Sequence, residues 1–388
     1  MRIIELFAGI GACSTALKRL EIDLEIVDAV EIDKYAMASF NAIHNTNFKT
    51  QDITAWNKEF KDIDLITHGS PCQDFSVAGK QAGGDIGSGT RSSLMYETIR
   101  IVGQVRPKYV LWENVKNLLS AKHKHNFDAY IDTMNALSYN SYYKVLNAKD
   151  YGIPQNRERV YTISIRKDID KGNFKFPEKE ELKLRLKDML ENEVDEKYYL
   201  DNAKTEKITN SNFMQEKKRI QEKEYSDTIL ARDWKDPKCV RIGGIFDTEK
   251  STHQAGSIYD KEGLSPTLDV MQDGWRQPSI IQIGNYMPSN HDASRIVDSE
   301  GIAPTVKENH GTVTATNINL RIRKLTPKEC WRLMGFSDED FKKAQNIPTS
   351  NTQLYKQAGN SIVVNVLEKI FKNLLYIEIE NLKFGGNE

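Results

Sequence analysis

Over its first 165 residues the sequence alternates short apolar runs with amphipathic stretches, and no other feature constrains the fold as much. Apolar runs fall at Ile3 to Phe7, Leu24 to Val30, Leu65 to Thr67, Tyr109 to Trp112, Tyr143 to Asn147 and Val160 to Ile165. Between them, Ser14 to Leu20, Ala36 to Ile43, Leu94 to Val102 and Phe127 to Leu137 carry apolar residues at helical spacing. Strands alternating with helices predict an α/β domain. Its sheet is mostly parallel and covered on both faces, with a ligand at the strand carboxyl ends.

From about Lys171 the pattern changes. The stretch Lys171 to Glu224 is rich in Lys and Glu, then gives way to short extended pieces broken by Gly and Pro. Ile258-Tyr-Asp-Lys-Glu-Gly-Leu-Ser-Pro-Thr-Leu268 is echoed by Ile296-Val-Asp-Ser-Glu-Gly-Ile-Ala-Pro-Thr-Val306. Two copies are too few for a solenoid and read as a duplicated element within one domain. Helical patterns return over Leu325 to Leu375. Thr326-Pro-Lys-Glu329 is a helix start with a capping box, and a last helix is expected over Ser361 to Leu375.

Composition narrows the class. The 388 residues are 39% hydrophobic with 54 basic and 55 acidic side chains, too apolar and too balanced for wholesale disorder. No run approaches the roughly 20 apolar residues of a membrane span, and Met1 to Ala12 lacks a cleavage pattern, so a cytoplasmic protein is expected. Cys13, Cys72, Cys239 and Cys330 lie far apart without metal-type spacing, which argues for reduced thiols and no zinc site. The near-zero net charge gives no global sign of a nucleic-acid partner.

Phe7-Ala-Gly-Ile-Gly11 follows the first strand and precedes a helix, where glycines let the backbone approach a nucleotide-like ligand. Glu31 ends the second strand, where an acid takes ribose hydroxyls, and Asp52-Ile53 suits the adenine edge. The third glycine of the dinucleotide fingerprint would fall at Ser14, which disfavours NAD, and there is no GxxxxGK[ST] loop.

His68-Gly-Ser-Pro-Cys-Gln-Asp-Phe-Ser76 places Cys72 after a strand, where a thiolate could be a nucleophile. The alternative is a small buried hydrophobe. Gly79, Gly83, Gly84, Gly87 and Gly89, with Lys80 and Arg91, suggest an active-site lid. Tyr109 to Val115 is a buried strand ending in Glu113 and Asn114, and Glu113 is either an acid or a helix cap. Arg157 and Arg159 share one strand face and suit phosphate or carbonyl recognition, or a solvated salt-bridge face.

Together these pieces resemble the cytosine-5 DNA methyltransferases that use S-adenosylmethionine. The resemblance rests on Phe7-Ala-Gly-Ile-Gly11, Glu31, Gly69-Ser-Pro-Cys-Gln73 with Phe75-Ser76, Glu113-Asn-Val115 and Gln155-Asn-Arg-Glu-Arg159. Arg323-Lys-Leu-Thr-Pro-Lys-Glu-Cys330 with Met334-Gly335, and Gln357-Ala-Gly-Asn-Ser361, complete the set in the family's order. It implies a Rossmann-like methyltransferase domain over residues 1–202 and 346–388, and a smaller, mainly β target-recognition domain over 203–345. By the same resemblance Cys72 attacks carbon 6 of a flipped cytosine, Glu113 protonates ring nitrogen 3 and Arg159 holds the carbonyl at position 2. Arg157, Asn114, Gln73 and Ser76 complete the catalytic set. Phe7, Ala8, Gly9, Ile10, Gly11, Glu31, Ile32, Asp52, Ile53, Pro71, Leu94, Asn360 and Ser361 surround the cofactor, so the final helix returns to the first domain. Lys80, Gln81, Arg91, Thr267, Thr305 and Arg323 are the expected DNA contacts, with Thr267-Leu268 and Thr305-Val306 both candidates for one recognition loop or for ordinary hairpin turns.

The resemblance further implies double-stranded DNA as partner, a restriction-modification or phage self-protection role beside a separate endonuclease, no metal, and a monomer associated with the nucleoid. An RNA cytosine methylase and a nonenzymatic DNA binder are the competing readings. The long segment between Gln155 and Arg323 favours DNA, and the intact Cys72, Glu113 and Arg159 favour an enzyme. Amino-methyltransferases are disfavoured because no Asp/Asn-Pro-Pro-aromatic tetrapeptide occurs. Five basic residues (Arg321, Arg323, Lys324, Lys328 and Arg332) against Glu329 alone predict a local basic surface beside a cleft.

Overall fold

A computed structural model describes residues 1–71, 91–198 and 321–384, with short strand segments between 243 and 318. The lid residues Cys72, Gln73, Ser76, Lys80 and Gln81, and both Thr267 and Thr305, lie outside the described residues. The side chains of Arg91 and Arg323 do too, although their backbones fall in a short turn and a strand.

All six expected strands form: β1 (Arg2–Leu6), β2 (Glu25–Val30), β3 (Leu65–His68), β4 (Tyr109–Val115), β5 (Tyr139–Asn147) and β6 (Glu158–Arg166). They make one sheet in the order β2-β1-β3-β4-β6-β5. The first four are mutually parallel, and β6 runs antiparallel to both β4 and β5. Alternate side chains point to opposite faces, as strand geometry requires. Ile3, Leu65, Tyr109 and Leu111 enter one core; Ile4, Ile66, Val110 and Trp112 enter the other. Helices α1 (Ala12–Arg19), α2 (Lys34–His44), α3 (Met95–Val105) and α4 (Lys124–Ala136) are the expected connections, with ends shifted by a few residues. Helices α3 and α4 cover the second core through Met95, Val102, Phe127 and Tyr130.

The first core is closed from far down the chain. Helices α5 (Pro327–Leu333), α6 (Asp338–Gln345), α7 (Asn351–Asn360) and α8 (Val364–Phe384) follow one another. Cys330, Trp331, Phe341, Leu354, Val364, Leu367 and Phe371 all join Ile3 and Leu17 in that core. Residues 325–345 therefore pack with the sheet, and the expected domain boundary at 345 would cut through one continuous core. The capping box at Thr326 forms as expected: Glu329 N donates to Thr326 Oγ1 (3.2 Å) and Thr326 N to Glu329 Oε2 (2.7 Å).

Between residues 243 and 324 the described backbone forms a three-stranded sheet of β7 (Gly243–Gly244), β8 (Ser257–Tyr259) and β9 (Ser279–Ile280), and a four-stranded sheet that begins with β10 (Gln282–Asn285). In the four-stranded sheet β11 (Arg295–Asp298) runs parallel to β12 (Ala315–Ile318), and β13 (Arg321–Lys324) closes the edge. Two sheets there agree with the mainly β character expected of this segment.

Candidate active site

The glycine turn leaves β1 with unusual backbone. Phe7, Gly9 and Gly11 have φ of 52°, 55° and 82°. Phe7 is the notable one, because a bulky side chain in the left-handed region costs of order 1 kcal/mol and persists only where its surroundings hold it. At Gly9 nothing lies within 4 Å of a would-be Cβ, whereas at Gly11 it would meet His44 Nε2 at 2.0 Å and Phe40 at 2.9 Å. Gly9 thus leaves open space toward the cleft, and Gly11 lets α2 pack against the turn.

Glu31 at the end of β2 holds this turn: its Oε2 accepts from Gly9 N (2.9 Å) and its Oε1 from Asp33 N (2.8 Å). Burial raises its pKa, and these two N–H groups oppose that shift. A carboxylate has about four acceptor sites, so two remain for a ribose diol. Ile32 beside it is 70% exposed, an apolar surface available to a ring. Asp52 is exposed and accepts from Thr54 N (2.9 Å), and Ile53 is buried. Leu94 packs against the second core.

The cleft runs from this turn to the other chemical end. It is lined by Phe7, Gly9, Thr67, Glu113 and Ser361 among others. Glu113, on the last turn of β4, is 8% exposed, and Arg159 is 3% exposed. Arg159 Nε lies 3.2 Å from Glu113 Oε1, and its Nη1 donates to Glu158 O at 2.8 Å. Its Nη2 is buried with no partner among the described residues. Burial pushes the Glu113 carboxyl up, while Arg159 and then Arg157 pull it down. The pair therefore presents a carboxyl raised by burial beside a donor with no partner among the described residues.

Asn114 and Arg157 act one step removed. Asn114 Nδ2 donates to Ser70 O (3.3 Å) and Trp112 Nε1 to Ser70 Oγ (3.0 Å), which fixes the backbone just before Pro71. Arg157 precedes β6 and sends Nη2 to Gly359 O (3.3 Å) and Ser361 O (3.0 Å). Arg157, expected in the catalytic set, thus ties the end of α7 to the start of β6 through its Nη2. Those contacts bring Asn360 and Ser361 to the cleft, as expected. Lys356 Nζ also bonds Asp33 Oδ2 at 2.8 Å, and Gln357 Nε2 donates to Tyr35 O at 3.0 Å, joining α7 to the start of α2.

Glu5 also lines the cleft, and Asp33 and Lys356 brace its rim, three residues that no sequence motif singles out. Glu5 had a signal, since a lone acid in a buried apolar strand requires a partner. The basic surface expected around Arg332 is partly cancelled: Arg332 binds Asp338 with two bonds of 2.7 Å, and Lys328 lies 3.3 Å from both Asp338 and Glu191. No group of described residues could hold a metal ion, and no described helix is long and apolar enough to cross a membrane.

A mostly parallel sheet with a glycine turn at one strand end and a buried acid–guanidinium pair at another defines a Rossmann-like domain that joins a nucleotide-type cofactor to a second substrate. The chain belongs to the C-5 cytosine-specific DNA methylases, whose family pattern matches residues 1–376, and it is a DNA cytosine-5-methyltransferase of the restriction-modification or phage type. It is 34% identical to the orphan methyltransferase M.SPBetaI of Bacillus phage SPbeta over 97% of this chain and 98% of that one. It is 33% identical to the type II methyltransferase M.HhaI of Haemophilus parahaemolyticus, covering 96% and 94%. Among solved structures, the Dnmt2 methyltransferase of S. pombe superposes with a TM-score of 0.59 at 19% identity, covering 99% of this chain and all of that one, a likeness of fold. The family depends on S-adenosylmethionine.

Proposed function

We propose that this protein methylates carbon 5 of a cytosine flipped out of duplex DNA, through a transient covalent adduct with Cys72. The observation that carries this reading is the Glu113–Arg159 pair, with its unsatisfied Nη2, in the same cleft as the glycine turn. Carbon 5 of cytosine is a poor nucleophile. Bonding of the Cys72 thiolate to carbon 6, with a proton from Glu113 on ring nitrogen 3, turns the ring into an enamine. Arg159 Nη2 donates to the carbonyl oxygen at position 2. S-adenosylmethionine, held by Glu31, the glycine turn, Asp52, Ile32, Ile53, Asn360 and Ser361, supplies an electrophilic methyl group. Loss of the carbon 5 proton to solvent water, return of the nitrogen 3 proton to Glu113 and breaking of the sulfur–carbon 6 bond would release the Cys72 thiolate and restore the aromatic ring.

Flipping follows from burial. A base stacked in a duplex cannot reach a carboxyl that is 8% exposed, and extrusion costs a few kcal/mol. Lys80, Gln81, Arg91, Arg323 and one of Thr267 or Thr305 are the proposed DNA contacts, in a monomer that acts separately from any endonuclease.

The test uses purified protein, labelled S-adenosylmethionine and either duplex DNA or tRNA. Methylation of DNA that Cys72→Ser abolishes supports the reading, as does a covalent complex with 5-fluorocytosine DNA formed only with cofactor. Methylation of tRNA alone refutes the substrate, and turnover retained in Cys72→Ser refutes the nucleophile.

A further inference from the structure

Glu5 is an acid in the middle of the sheet that the chemistry above does not use. It is 2% exposed. Its Oε1 accepts from the backbone N of Ser14 at 3.0 Å and from the Ser14 hydroxyl. Ser14 is the third residue of α1, a helix whose N-cap is Gly11, which offers no side-chain cap, and whose first turn holds no acid. Glu5 therefore provides from β1 the capping interaction that the local sequence lacks. The chain between Glu5 and Ser14 is the glycine turn itself, so this bond closes a short loop whose arc is Phe7 to Gly11. Glu5 also lines the cleft with Phe7, Gly9 and Ser361. The left-handed Phe7 needs such a constraint, because strained backbone persists only where neighbours over-determine it.

We propose that Glu5 is a positioning residue that fixes the glycine turn through the N-terminus of α1, so that affinity for the adenosyl cofactor follows the ionisation of Glu5. The inference rests on the cofactor reading above. An ionised carboxylate accepts both Ser14 donors and suits the positive end of a helix; a protonated one does so more weakly.

Burial pushes the Glu5 carboxyl up to about 7, against the Ser14 bonds and Lys18, so it changes charge near neutrality. Lys18 and Cys13 on α1 act on it directly, Thr67 on β3 is its register partner, Glu113 on β4 lines the same cleft, and behind Lys18 stands His44 on α2, whose Nδ1 lies 3.1 Å from Lys18 Nζ. Cys13 is held protonated well above its usual range and His44 is held neutral by burial, so neither titrates there. Glu31 and Glu113 are also raised by burial, which is why the test works by substitution at Glu5 and its partner.

The experiment is calorimetric binding of S-adenosylhomocysteine to the full chain from pH 6 to 8, without DNA. Wild type is expected to bind about tenfold more tightly at pH 8 than at pH 6, the size of one charge-assisted hydrogen bond. Glu5→Gln should be about tenfold weaker at pH 8 and lose most of that dependence. Ser14→Ala should move the midpoint upward, because the Ser14 hydroxyl holds the Glu5 carboxyl down. A residue that merely supports the fold would not shift a midpoint. Wild-type affinity that is flat with pH, an unchanged pH dependence in Glu5→Gln, or an unmoved midpoint in Ser14→Ala overturns the proposal. Failure to bind at any pH overturns the cofactor reading instead.

Discussion

Substituting alanine at Gly9 and at Gly11 should separate two jobs that the glycine turn performs at once. Both positions are left-handed, with φ of 55° and 82°, so each alanine incurs about 1–2 kcal/mol of backbone strain. At Gly9 that is the whole stability cost, since no atom lies within 4 Å of the new Cβ. At Gly11 the Cβ would stand 2.0 Å from His44 Nε2 and 2.9 Å from Phe40 Cε2. The His44 ring cannot simply swing aside, because its Nδ1 sits 3.1 Å from Lys18 Nζ and its ring packs 4.6 Å from that of Phe40. Overpacking of this kind adds about 1–3 kcal/mol, so Gly11→Ala should lose about 2–5 kcal/mol in all. Equilibrium urea unfolding measures both costs. Calorimetric titration with S-adenosylhomocysteine should show a separate effect: Gly9→Ala, folded and less destabilised than Gly11→Ala, fills the open space of the cleft and binds weakly. In a His44→Ala background the excess cost of Gly11→Ala should fall, since its nearest clash is gone. Equal destabilisation at the two glycines, or no relief from His44→Ala, would refute the argument.

Arg157→Ala should destabilise by about 2 kcal/mol or more, because it strands the carbonyls of Gly359 and Ser361 in a buried setting, and it should weaken cofactor binding; thermal unfolding and calorimetry report the two effects. Glu5→Gln should change how stability depends on pH. The Glu5 pKa rises on folding from 4.5 to about 7, so the folded state binds the proton more readily and wild-type stability falls as pH climbs through that window. The loss should be roughly 3 kcal/mol relative to Glu5→Gln, read from urea midpoints at pH 5 and pH 8, and parallel curves would contradict it. Lys356→Ala breaks an ion pair that is about a third exposed on the lysine side, and should cost under about 1 kcal/mol.

The sheet was readable from sequence because each strand is a local apolar run whose two-residue alternation fills both cores. The glycine turn and Glu113 were readable for a related reason: strand ends place them, and strand ends are local features. What the sequence hid depends on partners far away. The bond from Arg157 to Ser361 O spans 204 residues, and nothing near Arg157 in the chain marks that partner. Helices α6 and α7 are short and polar on one side, and their allegiance to the first core shows through Phe341, Ala344, Leu354, Tyr355 and Ala358. Lys328 and Arg332 counted as free positive charge until Asp338 and Glu191 were found against them.

The return of α7 to the glycine turn also sets a timetable for synthesis. Ser39 meets Gln357 across 318 residues of chain, and Arg157 meets Ser361 across 204. At about 5–20 residues per second, a nascent chain waits on the order of tens of seconds after β6 emerges before the cleft can be closed. During that wait one face of the sheet has α1 on it but lacks Trp331, Leu367 and Phe371, which later complete its cover. The cleft therefore depends on residues up to Ser361 being made. The same seam is where the gene could be divided: a fragment bearing α5 to α8, supplied separately, has its own face to offer the waiting sheet.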